Sequence, residues 1–447
     1  MFLSRNKAVG LHQRGELMKT HNVLPFKLES TEEKITSHSG LVLFGEFLHA
    51  LDLPHLLDNH LPKPGSINGY MPSEFIVPLL LSIHGGGSTL EDLRVIRMDQ
   101  GLRDLLRIAE FPSPDAFGDW ILRCGKNRKA QRALRKVTQL ITRRQLNREM
   151  TKEYTLDIDA SQIVAEKQTA HITYKGELGY MPIVGHLAEN GLVIGHEFRE
   201  GNVSPNTRNL EFVQQCFANL SKHKKIVAFR ADAASYQAAL FNYLEKRDVL
   251  YAVGGHVDIS VKTRIPELPE SAWRPYQNGH ITEIVHCMGE SKKAFRLIII
   301  RRPHQQNLPG QEETEITNDR YRVIASNRLE SAEKIVAWYN KRGDASENRI
   351  KDLKNGFQME HMPCGTFEAN SFYFGVGVLA YNLHILFRSA VLPKEWKSFQ
   401  IQTIRWRFYQ IGGKIISHAR TQVLKVAESA FKLFEEVRLR CRELVGV

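Results

Sequence analysis

At 447 residues the chain has room for two or three domains, each with an ample core. Its 42% hydrophobic and 25% charged residues match a soluble globular protein, and five scattered cysteines, none in a Cys-x-x-Cys, exclude a disulfide framework or zinc site. Lys+Arg 61 against Asp+Glu 49 gives +12, a surplus that favours an anionic partner, of which nucleic acid is the commonest.

Met1 to Lys27 has no continuous apolar run, so no signal peptide is expected, and a reducing cytoplasm fits the cysteines. From about 35 to 150 the pattern is helical. Phe75-Ile-Val-Pro-Leu-Leu-Leu-Ser-Ile predicts a buried helix, Gly85-Gly86-Gly87 ends it, and Ser88-Thr-Leu-Glu91 reads as a capping box for the next. No Gly-Lys-Ser/Thr follows the glycines, so they are not a phosphate loop. A helix starts near Ser113-Pro114. The long helix after it carries Arg123, Lys126, Arg128, Lys129, Arg132, Arg135, Lys136, Arg143, Arg144 and Arg148. Cations so little relieved by acids favour phosphate contact over a merely solvated face.

At Tyr154 the period changes to two: Tyr154, Leu156 and Ile158 alternate with Thr155, Asp157 and Asp159. Further strands are predicted at Thr169–Tyr174, Leu192–Phe198, Ile226–Phe229 and Val249–Val253, with helices at Asn206–Leu220 and Ser235–Lys246 between them. This alternation predicts a mixed α/β core. Between about 255 and 320 short strands at Asp258–Lys262, His280–Met288 and Ala294–Arg301 predict a β-rich insertion. A strand at Tyr321–Ser326 and a helix from Ala332 resume the core. The longest apolar run, Phe372 to Phe387, contains Asn382 and His384 and reads as a buried helix rather than a membrane span. From Phe367 onward the chain reads as helical and basic.

Three acids stand where a phosphoryl-transfer site needs them. Asp159 ends one strand and Asp232 follows another, while Glu347 heads a helix in Tyr339-Asn-Lys-Arg342-Gly-Asp-Ala-Ser-Glu347-Asn-Arg-Ile-Lys351-Asp-Leu-Lys354. Singly each has a structural explanation: a strand-ending turn, an N-cap, a capping-box glutamate. Asp157 shares the face of Asp159 and rivals it. Together, three carboxylates supply the oxygen ligands that two hard divalent ions prefer. Lys351 and Lys354 follow Glu347 on its face, and Arg342 precedes it, as cations for neighbouring phosphates.

These residues resemble a DDE transposase of a bacterial insertion sequence, in the group with a Tyr-Arg-Glu-Lys signature. The signature reads here as Tyr339, Arg342, Glu347 and Lys354, with four residues between Arg and Glu where the pattern has three. Leu156-Asp-Ile-Asp159-Ala-Ser, Tyr174-Lys-Gly-Glu-Leu-Gly-Tyr180, Arg199-Glu-Gly-Asn202, Phe229-Arg230-Ala-Asp232 and His418-Ala-Arg420 are similar to family stretches, so the resemblance runs from about residue 40 to the C-terminus. It implies an RNase-H-like mixed sheet flanked by helices, with a β-rich insertion and helical N- and C-terminal regions. The implied division is 1–150 for binding DNA ends, 151–254 and 321–390 for the two parts of the core, 255–320 for the insertion and 391–447 for a helical end.

The resemblance also implies Asp159, Asp232 and Glu347 as ligands of two Mg2+ ions, for which Mn2+ can substitute. Its reaction is cleavage at terminal inverted repeats and joining of the freed 3′ hydroxyl to target DNA, performed by a homodimer with double-stranded DNA and no membrane. Trp273 is the candidate to stack a flipped base. Lys129, Arg132 and Lys136 of a helix-turn-helix-like unit are candidates to grip the DNA ends, and Arg405-Trp-Arg-Phe-Tyr409 is either a DNA contact or a packed helix. A structure-specific nuclease or a non-catalytic DNA-binding relic are the alternatives.

Overall fold

The computed structural model describes residue 24 and residues 26–108, 111–302, 320–419 and 421–445, without the side chains of 344–347. After a two-residue strand, β1 (Ile35–Thr36), the chain is helical to residue 148, ending in Pro114–Lys126 and Arg128–Arg148. Asn127 alone separates these last two; its Oδ1 accepts from the Lys129 backbone N–H at 2.9 Å, an N-cap that restarts the helix. The turn after the glycines is closed by Asp92 rather than Glu91. Its Oδ2 accepts from the backbone N–H of Ser88 and Thr89 at 2.8 Å each, while Glu91 pairs with Arg94.

One nine-stranded sheet carries the middle of the molecule. It opens with β2 (Glu153–Ala160); β3 (Ile163–Val164), β4 (His171–Ile172) and β5 (Leu178–Tyr180) form a small sheet apart, and β6 (Ile183–Leu187) and β7 (Val193–Glu197) return antiparallel beside β2. β8 (Lys225–Ala231) and β9 (Leu250–Gly254) then add parallel to β2, each reached through a helix, Asn209–Asn219 and Ala238–Glu245. The order β7-β6-β2-β8-β9 is the RNase-H-like core. The Asn209–Asn219 helix lies close because Gly185 and Gly195 pair across β6 and β7. A Cβ on them would come within 2.8 and 2.4 Å of Cys216 Sγ.

The described part of segment 255–320, residues 255–302, extends this same sheet, and 303–319 lie outside the described residues. β10 (Arg274–Tyr276), β11 (Gly279–His286) and β12 (Phe295–Arg301) run as antiparallel hairpins into β13 (Tyr321–Ser326), which pairs with β9. The strand expected at Asp258–Lys262 is instead the helix Ile259–Arg264. Asp258 Oδ1 accepts from the Val261 N–H at 2.9 Å, and this cap outweighs the local alternation of Ile259 and Val261.

The helix Phe367–Ala390 is buried at every residue from Phe372 to Phe387, as its apolar run predicts. No single helix among the described residues is long and apolar enough to cross a membrane. Its Asn382 closes the free edge of the sheet. Asn382 Oδ1 accepts from the Val193 N–H at 2.9 Å and its Nδ2 donates to Val193 O at 2.8 Å, so one amide stands in for the next strand.

The C-terminal region departs from the helical expectation. β14 (Gly413–His418) and β15 (Thr421–Val426) form a hairpin around Ala419, whose φ of 48° is left-handed, and β14 pairs with β1. The β-branched runs Ile415-Ile416 and Val423-Leu-Lys-Val426 carry the signal. The two ends of the chain therefore share a sheet, and they share a core as well. Arg405 donates to the carbonyls of Ile83, His84 and Gly356 at 2.8, 2.9 and 2.6 Å. The His84 ring lies 3.2 Å from Tyr409 Oη and 3.1 Å from Ala380 O. Burial, helped by Arg405, holds His84 down to about 3, so it is neutral in the fold.

Two outcomes follow for stability. Asn382→Leu leaves the Val193 N–H and carbonyl buried without partners and costs about 1–3 kcal/mol for each group, read as a shifted urea midpoint. A buried base held below its unfolded value of about 6.5 contributes stability fully above that pH and loses it as pH falls toward its folded value. Denaturation curves collected downward from neutral pH will therefore show stability falling by up to about 1.4 kcal/mol per pH unit for His84, and His84→Gln will flatten that limb.

Candidate active site

β2 and β8 are parallel neighbours in register, with Asp157 opposite Arg230. Continuing that register by two residues sets Asp159 level with Asp232, which lies just past the end of β8, and the charges of both act on Arg342. Asp159 is the penultimate residue of β2 with 22% of its side chain exposed. Asp232 lies just past β8, where its side chain accepts from the Ala234 N–H at 3.1 Å and caps a single 3-10 turn.

The rivalry between Asp157 and Asp159 has a geometric answer. Asp157 is wholly buried, and Arg230 donates to both its oxygens, Nε to Oδ1 and Nη2 to Oδ2, at 2.8 Å each. Arg230 Nη1 also donates to Trp338 O at 2.7 Å, and its guanidinium lies 5.0 Å from the Trp338 ring. His186 Nε2 stands 3.8 Å from Asp157. Burial, then the charges of Arg349, Arg342 and Arg230, push His186 well below its ordinary range, so it is neutral. Asp157 is thus spent inside the fold, while Asp159 meets the surface.

The helix Ala332–Lys351 crosses these strand ends. Arg342 donates from Nη2 to Asp159 Oδ1 at 2.8 Å and to Ile158 O at 3.1 Å. Burial works against the charge of Arg342; Asp159, Tyr339, Asp232 and Asp157 outweigh it and hold its value above the ordinary one. Tyr339 is packed one turn earlier. A Cβ on Gly254 would lie 3.0 Å from Tyr339 Oη and 3.2 Å from the Asp232 carbonyl carbon, so only glycine lets the tyrosine approach the second acid. Burial raises the Tyr339 hydroxyl against the opposing pull of Arg342 and Arg322.

Glu347 lies within this helix, and its side chain falls outside the described residues. The helix is continuous from Arg342 to Glu347, so the extra residue in that gap sets their positions about 140° apart around its axis rather than about 40°. Lys351 is exposed on the last turn. A five-residue π turn, Asp352–Gly356, follows and carries Lys354, whose Nζ donates to Gln162 O at 2.9 Å, three residues beyond Asp159. The fold therefore gathers Asp159, Asp232, Tyr339, Arg342 and Lys354. Among the described residues no three His, Cys, Asp or Glu side chains form a metal-binding group. The pair that does converge offers only carboxylate oxygen, and the nearest imidazole, His186, is neutral behind Asp157. That donor chemistry fits Mg2+.

The other candidates lie elsewhere. Trp273 is 7% exposed, with the Arg301 guanidinium 4.4 Å over its ring and Tyr321 at 6.3 Å. It is a packing residue here and offers no face to a base. Three residues on, Tyr276 does line an open cavity of about 250 Å³ with Gln277, Asn278, Arg322 and Asn340, beside Tyr339. Arg322 joins the two, donating to Asn340 Oδ1 at 2.7 Å and lying 5.3 Å from the Tyr339 ring. Trp273 and Tyr276 share the stretch Ser271-Ala-Trp-Arg-Pro-Tyr276, and burial is what separates the two aromatics.

The basic helix divides by face. Lys129, Arg132 and Lys136 are exposed, whereas Arg143 donates to the carbonyls of Ala218 and Asn219 and Arg144 to Leu51 O. Arg405-Trp-Arg-Phe-Tyr409 divides likewise: Arg405, Phe408 and Tyr409 are buried, while Trp406 is 79% exposed.

Carboxylates level at the ends of adjacent parallel strands, under a cationic helix, define a protein of the RNase-H-like class. The chain belongs to the family described as Transposase DDE domain group 1, whose model matches residues 20–442. Among solved structures it is similar to a piggyBac transposase in a synaptic complex with hairpin DNA. That likeness has a TM-score of 0.46 and 13% identity, covering 85% of this chain and 82% of that one. No curated protein matches the chain.

The two aspartates are separable by experiment. Asp157→Asn strips Arg230 of its buried counter-charge and costs about 3–5 kcal/mol, whereas Asp159→Asn, part-exposed at the strand end, costs less. Urea unfolding of both variants reads the contrast; equal losses would refute the division of labour.

Proposed function

We propose that the protein cuts DNA at the terminal inverted repeats of a bacterial insertion sequence and joins the freed 3′ hydroxyl to target DNA. The carrying observation is the level pair Asp159 and Asp232 beneath Arg342, in a chain of this family. Asp159 and Asp232, with Glu347 from the crossing helix, would hold two Mg2+ ions, or Mn2+ in their place. When bound, these activate the attacking oxygen and stabilise the leaving one.

The remaining groups act on the DNA. Arg342 orients Asp159 through the hydrogen bond from its Nη2 and offsets the charge gathered at the strand ends. Lys354, tethered at Gln162 O, and Lys351 neutralise phosphates beside the scissile bond. Tyr339 fills the floor next to Asp232. Lys129, Arg132 and Lys136 grip the backbone of the DNA ends, a sequence-independent contact. Water cleaves first and the 3′ hydroxyl attacks second, each displacing an alkoxide from phosphorus, so no covalent protein intermediate forms. Two ends joined to one target require a homodimer, working in the bacterial cytoplasm.

The test uses DNA carrying the element's own ends, a target plasmid and Mg2+, scoring cleavage and joining. Glu347→Gln and Asp232→Asn should keep DNA binding and lose cleavage by on the order of a thousand-fold. Cleavage without joining by the wild type would indicate a nuclease. Binding without Mg2+-dependent cleavage by the wild type would leave a DNA-binding relic.

A further inference from the structure

A cavity of about 400 Å³ opens between the Arg128–Arg148 helix, β7 and the Asn209–Asn219 helix, and the acids lie outside it. Its walls include Arg132, Arg135, Lys136, Gln139, His196 and Asn219, and no carboxylate lines it. Arg132, Arg135 and Lys136 recur at three- and four-residue spacing, so one helix face presents all three. Arg132 and Lys136 reach solvent, whereas Arg135 is half-buried.

Arg135 is the unusual member. Its desolvated guanidinium has no hydrogen-bond acceptor or ion-pair partner among the described residues. Burial lowers its value, and Glu197 is the acid that opposes the shift. Glu197 is itself taken by Arg199 and Arg208. Its other neighbour adds no negative charge: His196 is pushed down to about 3 by burial and then by Arg135, and is neutral. The wall is rigid, because Gln139 Nε2 donates to Asn219 Oδ1 at 2.9 Å and Asn219 Nδ2 donates to Ile194 O at 2.7 Å. A half-buried cation without an acceptor, in a prebuilt cationic cavity, is a site waiting for an anion.

We propose that this cavity is a phosphate-binding site in which Arg135 is the inner cation and a DNA backbone phosphate is the occupant. The proposal rests on the reading of the basic helix as a DNA-gripping element and adds a specific seat to it. The volume falls in the range of roughly 300–1,000 Å³ that small-ligand sites occupy, which suits a phosphate carried by a nucleotide better than a bare ion. The cross-strand row Asp159–Val184–His196 sets the cavity level with the first acid, two strand spacings or about 10 Å across the sheet. DNA seated there is held by the same rigid sheet that carries the carboxylates.

Fluorescence anisotropy on the full chain tests this with two labelled duplexes, one carrying the element's terminal repeat and one unrelated, across about 50–200 mM salt. Arg135→Gln should weaken both duplexes alike, by about tenfold, and reduce the log–log salt slope by about one. Arg132→Gln, at the exposed mouth, should act in the same direction, and Arg135→Lys should restore part of the slope. Thermal unfolding of each variant confirms that it folds. An unchanged salt slope in folded Arg135→Gln would overturn the proposal. So would protection of the wild type, but not of Arg135→Gln, by inorganic phosphate or a mononucleotide with DNA affinity unaltered, because the site would then serve a free anion. Mg2+-dependent cleavage by the wild type is scored separately, so a failure of the transposase reading remains distinct from a failure of this site.

Discussion

The buried pair Arg230–Asp157 is the contact on which the geometry of the candidate site depends. It spans the parallel strands β2 and β8, and each partner stands two residues before one of the surface carboxylates. A bidentate guanidinium–carboxylate pair is satisfied at one alignment of its strands. A slip of one residue would break it and turn Asp159 or Asp232 to the opposite face. Buried ion pairs are a weak source of stability, since desolvation offsets most of the attraction. What this pair contributes is register, and the register brings the two acids level.

The surrounding charges extend the same logic. Arg342 meets Asp159 from the crossing helix, and Arg349 donates to the carbonyls of Leu187 and Ala188 at 3.0 and 2.5 Å. Guanidinium groups thus tie the helix to β2 and to the turn after β6, where aliphatic packing alone would let it slide. The far ends of the chain are tied in the same manner by Arg405 on three carbonyls. Many of the arginines behind the +12 surplus are consequently internal fasteners. The cations that remain exposed are a selected subset, Lys129, Arg132 and Lys136 among them.

Much of the core was legible because its signals are local. β2, β7, β8, β9, β12 and β13 fall where period-two or apolar runs placed them, and the Phe367–Ala390 helix where its run predicted burial. The misses share a cause. β6 is buried at all five residues and contains Gly185 and His186, so it shows no alternation. Asp258 tips an alternating stretch into a helix, and the hairpin of β14 and β15 lies in a region read as helical and basic. Where one capping contact or pairing decides between two states, local pattern carries too little free energy to choose.

The sequence by itself determined the candidate acids, Asp232, Glu347 and either Asp157 or Asp159, together with the strand–helix alternation and the basic balance, because residue type and spacing are local properties of the chain. Only the tertiary structure decided that Asp157 is consumed by Arg230 while Asp159 reaches the surface, that Trp273 is packed while Tyr276 lines a cavity, and which arginines face solvent. Each of those outcomes depends on burial and on partners distant in the sequence, and period and composition do not record either.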